Sequence, residues 1–360
     1  MKKLTDLGLS QSLFEEWREP REGTENPTKV DSPVWNWLIR TKLSAWGANK
    51  ASEHDCYDSP TWSFDRMGQS ATQLPDGRTI YIAGEHEDGY DPNFYIYNDV
   101  IVKHADGSLE TYIYPKNIFP PTDFHSTTLI DNKIIIVGCL GYSEQRDAPE
   151  TPVYTLDLNT FFIEKISTTG AKPGWIYGHL ATLANDKETL LITGGESYRD
   201  KSKSTCENIN EWTLNTKTWK WELAKENHWV RWEYIRKDNE YNLLWELRQA
   251  LWNQEHNWKT ELSNDIKKLK DKLGYEPDLS SIKSLYQPSI NFKKLPEVEG
   301  EYNQFKILIN DVVVRYKEES WDIQVCVEGY LVPEIIESLK NDLLIKLNAL
   351  IKTDWELLDI

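Results

Sequence analysis

Three short apolar runs decide how this chain is read: IYIAG at 80–84, IIIVG at 134–138 and LLITG at 190–194. Each is too short for a helix, rich in branched aliphatic side chains, and closed by glycine. Such a run reads as a buried strand. The closing glycines, Gly84, Gly138 and Gly194, recur at intervals of 54 and 56 residues. A period of that length marks a repeat architecture, and the flanks repeat with it.

Upstream lie RMGQSATQL from Arg66, TDFHSTTLI from Thr122 and IYGHLATLA from Ile176. A turn separates each from its apolar run: PDGR at 75–78, DNK at 131–133 and NDKE at 185–188. Asp-Gly and Asn-Asp are hairpin signals. Downstream come YNDVIV from Tyr97, VYTLDL from Val153 and INEWTL from Ile209, followed by LETYIY, FFIEKI and TWKWEL. Each unit therefore reads as a four-stranded antiparallel meander.

This pattern resembles the kelch motif of β-propellers over about residues 60–225. The matching features are an Arg-x-Gly-His-Ser-like opening, an apolar strand closed by Gly-Gly, a third strand, and a Trp-bearing fourth. The first unit keeps Arg66, Gly68 and Ser70, with Gln69 in the histidine place. The second keeps His125 and Ser126; the third keeps Gly178 and His179. Gly194–Gly195 preserves the doublet, whereas Glu85 and Cys139 replace its second glycine elsewhere. The resemblance implies a mainly β fold of kelch-like blades with α+β additions. Propellers close with about four to eight blades; three are read here, so the fan is incomplete or atypical. Its edges need cover, from the remaining segments or from a second subunit in a homodimer.

Outside the repeat region at 60–225, residues 1–31 lack any period and read as a flexible or draped arm. Residues 32–59 read as a helix packing on the blades, capped by Asp31 or Ser32 with Pro33 in its first turn. Residues 226–300 form a helical segment, with Leu244, Leu247, Leu251, Trp258, Leu262, Ile266, Leu269 and Leu273 on one stripe. Gly274 and Pro277 stop it. Residues 301–360 read as a small α+β domain: a hairpin turning at Asn310–Asp311, a third strand WDIQVCVEG, a helix opened by Pro333, and WELLDI as a closing strand.

A formal net charge of −17 argues against bulk binding to nucleic acid or to an anionic membrane surface. The 16 Trp and 18 Tyr supply a sizeable core despite the low mean hydropathy. Cys56, Cys139, Cys206 and Cys326 are far apart and match no zinc spacing, so they read as reduced thiols. MKKLTDLGLSQSLFEEW at 1–17 has two lysines but no uninterrupted apolar stretch of the secretory type, and no run of eighteen apolar residues occurs; the expectation is a cytoplasmic chain.

Chemistry is sparse. GEHEDGYD at 84–91 clusters Glu85, His86, Glu87, Asp88 and Asp91. One histidine without cysteine does not suit a structural zinc, and the acid spacing does not suit a calcium loop. It reads as a solvated acidic loop. His125 and His179 obey the repeat period, so they read as structural, holding an inter-blade hydrogen bond that Gln69 makes in the first unit. Cys139 reads as a small packed side chain. No nucleophile elbow, P-loop or dinucleotide fingerprint occurs, and no cofactor or metal is expected. Copper radical oxidases and a sialic acid mutarotase share the kelch fold, but a Tyr/His copper set cannot be assembled here.

In a meander, the loops alternate between two faces. The short turns share one; the long loops at 85–96, 139–152 and 195–208 share the other with the inter-blade links. Loops on a rigid scaffold carry binding. The candidate binding residues are Glu85, His86, Glu87, Asp88, Tyr142, Arg146, Trp175, Glu196, Tyr198 and Arg199. The expectation is a non-enzymatic protein-binding scaffold with another protein as partner. The alternative is a carbohydrate- or metabolite-modifying enzyme of mutarotase or epimerase type on the same fan.

Overall fold

Each apolar run forms the second strand of an antiparallel blade. In the computed structural model, blade 1 comprises Ser70–Gln73, Thr79–Ile82, Asp99–Lys103 and Leu109–Ile113. Blade 2 comprises Ser126–Ile130, Lys133–Val137, Val153–Asp157 and Ile163–Lys165. Blade 3 comprises Leu180–Leu183, Thr189–Thr193, Glu211–Asn215 and Lys220–Lys225. Consecutive strands pair in every blade. The structure describes residues 9–54, 59–88, 91–199, 204–296 and 303–360, without side-chain burial at 87, 88, 91 and 92. Cys56 lies outside the described residues. The chain divides into two compact units, Met1–Asn227 and His228–Ile360.

The blades are joined by a repeated set of bonds. Phe124 N–H donates to the Gly68 carbonyl at 3.0 Å, and Gly178 N–H to the Phe124 carbonyl at 2.7 Å. Gly84 N–H reaches the Thr122 carbonyl at 2.9 Å, and Cys139 N–H the Ile176 carbonyl at 3.0 Å. These contacts bring the next blade's backbone against the glycine that ends the apolar strand. At Gly138 a Cβ would lie 2.2 Å from the Ile176 carbonyl oxygen, and φ is +69°. Only glycine fits there.

Apolar packing follows the same order. Ile80, Ile82, Val100 and Val102 of blade 1 meet Ile134, Ile136, Tyr154 and Leu156 of blade 2. Ile135, Val137 and Val153 on blade 2's other face meet Leu190, Ile192, Leu214 and Trp221 of blade 3. Alternation along the strands puts opposite side chains on opposite faces, so blade 2 is apolar on both. In blade 3 the two positions equivalent to Val137 and Val153 are Thr193 and Glu211. With Thr182 and Thr213, they make its second face more polar than that of blade 2, although Leu180 and Leu191 share it and Leu180 is 64% exposed.

Blade 1's other face is covered by the N-terminal region. Ser32 accepts from Trp35 N–H and Pro33 opens the helix Pro33–Thr41; a second helix follows at Ala45–Ser52. Where one helix was expected, Lys42 in the left-handed region ends the first. Phe14, Trp35, Leu38, Ile39 and Trp62 pack with Tyr97, Ile101 and Ile113 of the blade. Trp35 and Trp62 stack with centroids 4.9 Å apart. Beneath them Arg66 makes a bidentate pair with Asp99 at 2.5 and 2.9 Å. Asp99 also accepts from Trp62 Nε1 at 2.9 Å, and Arg66 donates to the Ser63 and Ala83 carbonyls. Both charges are thus buried with their hydrogen bonds satisfied, as a buried pair must be.

Of the flexible or draped arm expected at 1–31, the described residues are draped on the blades. They hold a helix, Gln11–Trp17, and a strand, Thr28–Val30, which pairs with blade 1's outer strand. Asn26 bonds both backbone groups of Ile163 on blade 2, at 2.7 and 3.0 Å. Thr169–Gly170 lies parallel on blade 3's outer strand. The outer edges are therefore dressed by the same chain.

The boundary expected near residue 300 is corrected. Val230–Arg236, not read as a strand in the sequence, joins the sheet that the C-terminal strands form. That sheet is antiparallel and six-stranded, in the order Lys293–Lys294, Gln304–Ile309, Val312–Glu318, Asp322–Glu328, Val230–Arg236, Trp355–Asp359. Asn310 and Asp311 both have positive φ, as the hairpin turn demands. Leu244–Glu255, Lys259–Leu273 and Pro333–Ile351 supply the helical side of one core with Trp232, Tyr234, Val314, Tyr316 and Val325. Among the described residues no helix is long and apolar enough to cross a membrane.

Replacing Gly138 with Ala is expected to destabilise the blades by about 3 kcal/mol, because the collision with Ile176 adds to the backbone cost. Gly194→Ala has open space around it and should cost about 1 kcal/mol, from its left-handed backbone alone. Urea unfolding of both variants checks the ordering.

Candidate functional site

The long-loop face is built from two hairpins and a looser loop. Glu85–Asp88 pairs with Asp91–Ile96 in blade 1, and Glu196–Arg199 with Ser204–Glu207 in blade 3. Blade 2 supplies residues 139–152, with one helical turn at Ser143–Gln145. Long segments expected as loops are thus partly strands, paired in small sheets separate from the blades.

GEHEDGYD is not a fully solvated acidic loop. Glu85 and His86 are buried. His86 Nδ1 lies 2.9 Å from the Tyr97 hydroxyl, which also accepts from Ser63 N–H. The side chains of Glu87 and Asp88 lie outside the described set. Glu85 instead meets Asp123, a residue passed over in the sequence. Asp123 is fully buried; its Oδ1 accepts from Gly141 N–H at 2.6 Å. Burial pushes its carboxyl above the usual carboxylate range, against the Gly141 N–H, the Glu85 side chain and the Arg146 charge.

Several expected contact residues tie the loops to one another. The Tyr142 hydroxyl accepts from Ile96 N–H at 2.9 Å, linking blade 2's loop to blade 1's hairpin. Arg146 donates to the Leu140 and Gly141 carbonyls at 3.1 and 3.0 Å and lies 5.5 Å from the Tyr198 ring centroid. Trp175 is buried, with Nε1 on the Leu140 carbonyl at 3.0 Å. Glu196 accepts from the Tyr177 and Thr205 hydroxyls at 2.7 and 2.6 Å. Arg199 donates to Ser204 at 2.8 Å. The expected set is therefore largely the frame of the face.

What that frame holds up is apolar. Met67 and Phe94 are 46% and 44% exposed. Phe94 packs edge-on to Tyr142, centroids 5.9 Å apart. Phe124, half-buried, packs edge-on to Tyr177 at 6.5 Å. Its φ is +47°, the left-handed conformation that Gly68 and Gly178 adopt at the same repeat position. A phenylalanine there carries a strain that glycine would not. The sequence held this signal: an aromatic residue where the repeat places glycine.

The histidines sit between blades. His125 Nε2 lies 2.8 Å from Ser70 Oγ, and His179 Nε2 2.8 Å from Ser126 Oγ. Gln69, expected to make the equivalent bond, turns to the Ala83 carbonyl within its own blade at 3.3 Å. Burial lowers His125 to about 3 and His179 to about 4, so both are neutral. Burial also pushes the Cys139 thiol up, which disfavours its thiolate. Among the described residues no group of three or more His, Cys, Asp or Glu could hold a metal ion.

The fold and its face define an open array of kelch-like blades. No family model matches the chain. Among curated proteins it is similar to Tip elongation aberrant protein 1 of Schizosaccharomyces pombe (strain 972 / ATCC 24843), with 28% identity over 153 residues. The match covers 41% of this chain and 12% of that protein. It is a distant and partial likeness to a kelch-repeat protein, and the chain spans about an eighth of that relative's length.

The two histidines make stability pH-dependent. Their folded values lie below the ordinary 6.5, so below pH 6.5 the unfolded chain takes up protons that the folded one refuses. Stability should be undiminished above that pH. It should fall by about 1.4 kcal/mol per pH unit per histidine down toward pH 4. His125→Gln, which copies the residue at position 69, should flatten part of this limb in denaturation measured from pH 7 to 4.

Proposed function

We propose that the chain is a non-enzymatic protein-binding scaffold that recognises another protein through its long-loop face. The observation that carries this reading is Phe124, kept in a left-handed backbone where the neighbouring repeats use glycine. Strain of this kind persists where the side chain is needed. Phe94 and Met67 stand exposed beside a frame of aromatic and arginine residues, the types that anchor interfaces. The likeness to a kelch-repeat protein supports the same class of role. The enzymatic alternative gains nothing from these contacts. Asp123 and Glu85 are buried, and two of the Arg146 N–H groups are committed to loop carbonyls.

We further take the array to work as one copy. Gln69 replaces histidine in the first blade and Leu180 replaces serine in the third, so a second chain could not extend the His–Ser stitch from either end. Light scattering is expected to give a monomer; a dimer abolished by Leu180→Glu would reject this.

Phe124→Gly should leave blade stability within about 1 kcal/mol of the parent, since relief of about 1–2 kcal/mol of backbone strain offsets the lost ring contacts. Partner recovery in affinity purification from the native cell should drop, as it should for Met67→Ala/Phe94→Ala. Thr182→Ala, on blade 3's more polar face, serves as the control. Equal recovery of the same partners by all baits would show that this face is not the recognition surface.

A further inference from the structure

The second unit holds a cleft of about 620 Å³ beside the first turn of helix Leu244–Glu255. Tyr241, Trp245, Glu246, Arg248, Lys272 and Glu319 are among its lining residues. Trp245 is 66% exposed and Tyr241 49%. Rings so open add little to the core beside them, yet here two of them face one cavity. Trp321 packs against Tyr241 with centroids 4.1 Å apart and fixes the orientation of that ring.

The charges around the rings are neutralised in pairs. Lys272 Nζ lies 3.2 Å from Glu246. Arg248 is bidentate on Glu318 at 2.8 and 2.6 Å. Lys317 lies 2.8 Å from Glu319. The cleft is thus lined by Glu246, Glu318 and Glu319 against Arg248 and Lys272, with Lys317 balancing Glu319 from outside the lining. It offers carboxylate acceptors beside ammonium and guanidinium donors, next to two apolar ring faces. A ligand matching this has an apolar C–H face and several uncharged groups that both donate and accept. A sugar ring has that chemistry. A proline-rich peptide also stacks on Trp and Tyr, but its backbone presents mainly carbonyl acceptors, which can donate nothing to Glu246 and Glu319.

We propose that this cleft is a saccharide-binding site. Trp245 and Tyr241 are the stacking platforms, and the Glu246–Lys272 pair and Glu319 bind ring hydroxyls. The proposal is independent of the role assigned to the blades. The test is titration of the full chain with hexasaccharides of glucose, N-acetylglucosamine, xylose and mannose, followed by tryptophan fluorescence and calorimetry. Saturable binding of at least one is expected. Trp245→Ala and Lys272→Met should each weaken it about tenfold or more, a difference near 1.4 kcal/mol. Both side chains are exposed, so the unfolding midpoint should be unchanged; if Trp245→Ala does not fold, Lys272→Met and Glu246→Gln carry the test. The proposal is overturned if no hexasaccharide binds at millimolar concentration, or if binding survives the substitutions unaltered. It is also overturned if a decaproline peptide, rather than a sugar, occupies the cleft in a Trp245-dependent way.

Discussion

The closeness of one blade's backbone to the next sets the form of the first unit. At Gly138 the carbonyl of Ile176 occupies the space a side chain would need. The hydrogen bond from Cys139 to that carbonyl, and its counterpart from Gly84 to Thr122, depend on the same approach. The apolar faces can then interdigitate, and the histidines can reach the serines of the preceding blade. A larger residue would separate the blades and lose packing and stitches together. The repeat is thus selected at Gly84 and Gly138, where a side chain would collide with the neighbouring backbone or side chain.

An open array leaves two end faces and a row of outer edges. The chain deals with each differently. One end face is apolar and lies under tryptophans, with Arg66 and Asp99 buried as a fully bonded pair. The other is more polar because Thr193 and Glu211 stand where blade 2 has Val137 and Val153, with Leu180 left exposed. The outer edges receive short strands and the Asn26 side chain. None of these devices needs more blades, which is how three can stand where propellers close with more.

Much of the blade architecture was legible in the sequence, because strand period, turn residues and closing glycines are local signals. The hairpin at Asn310–Asp311 and the helix opened by Pro33 were legible for the same reason. Less was legible of the second unit: VRWEYIR at 230–236 alternates Val230, Trp232 and Tyr234 with Arg231 and Glu233, but its partners, two C-terminal strands, lie far along the chain. For the candidate site, loop position was readable but accessibility was not. Tyr142, Arg146 and Trp175 have the composition of contact residues, and their hydrogen bonds go to neighbouring loops. Met67 and Phe94 were missed, since exposure depends on what the other blades leave uncovered; Phe124 was missed although it stands where the repeat places glycine.

The sequence by itself determined the unit of the fold, its count, and the face on which the long segments gather. It did so because period and turn chemistry act over a few residues. Tertiary structure decided which of those residues are frame and which are surface. Glu85 and His86 belong to an acidic stretch that looks solvated in one dimension. Glu85 meets Asp123 from the entry to the next blade, and His86 meets Tyr97, eleven residues on in its own blade.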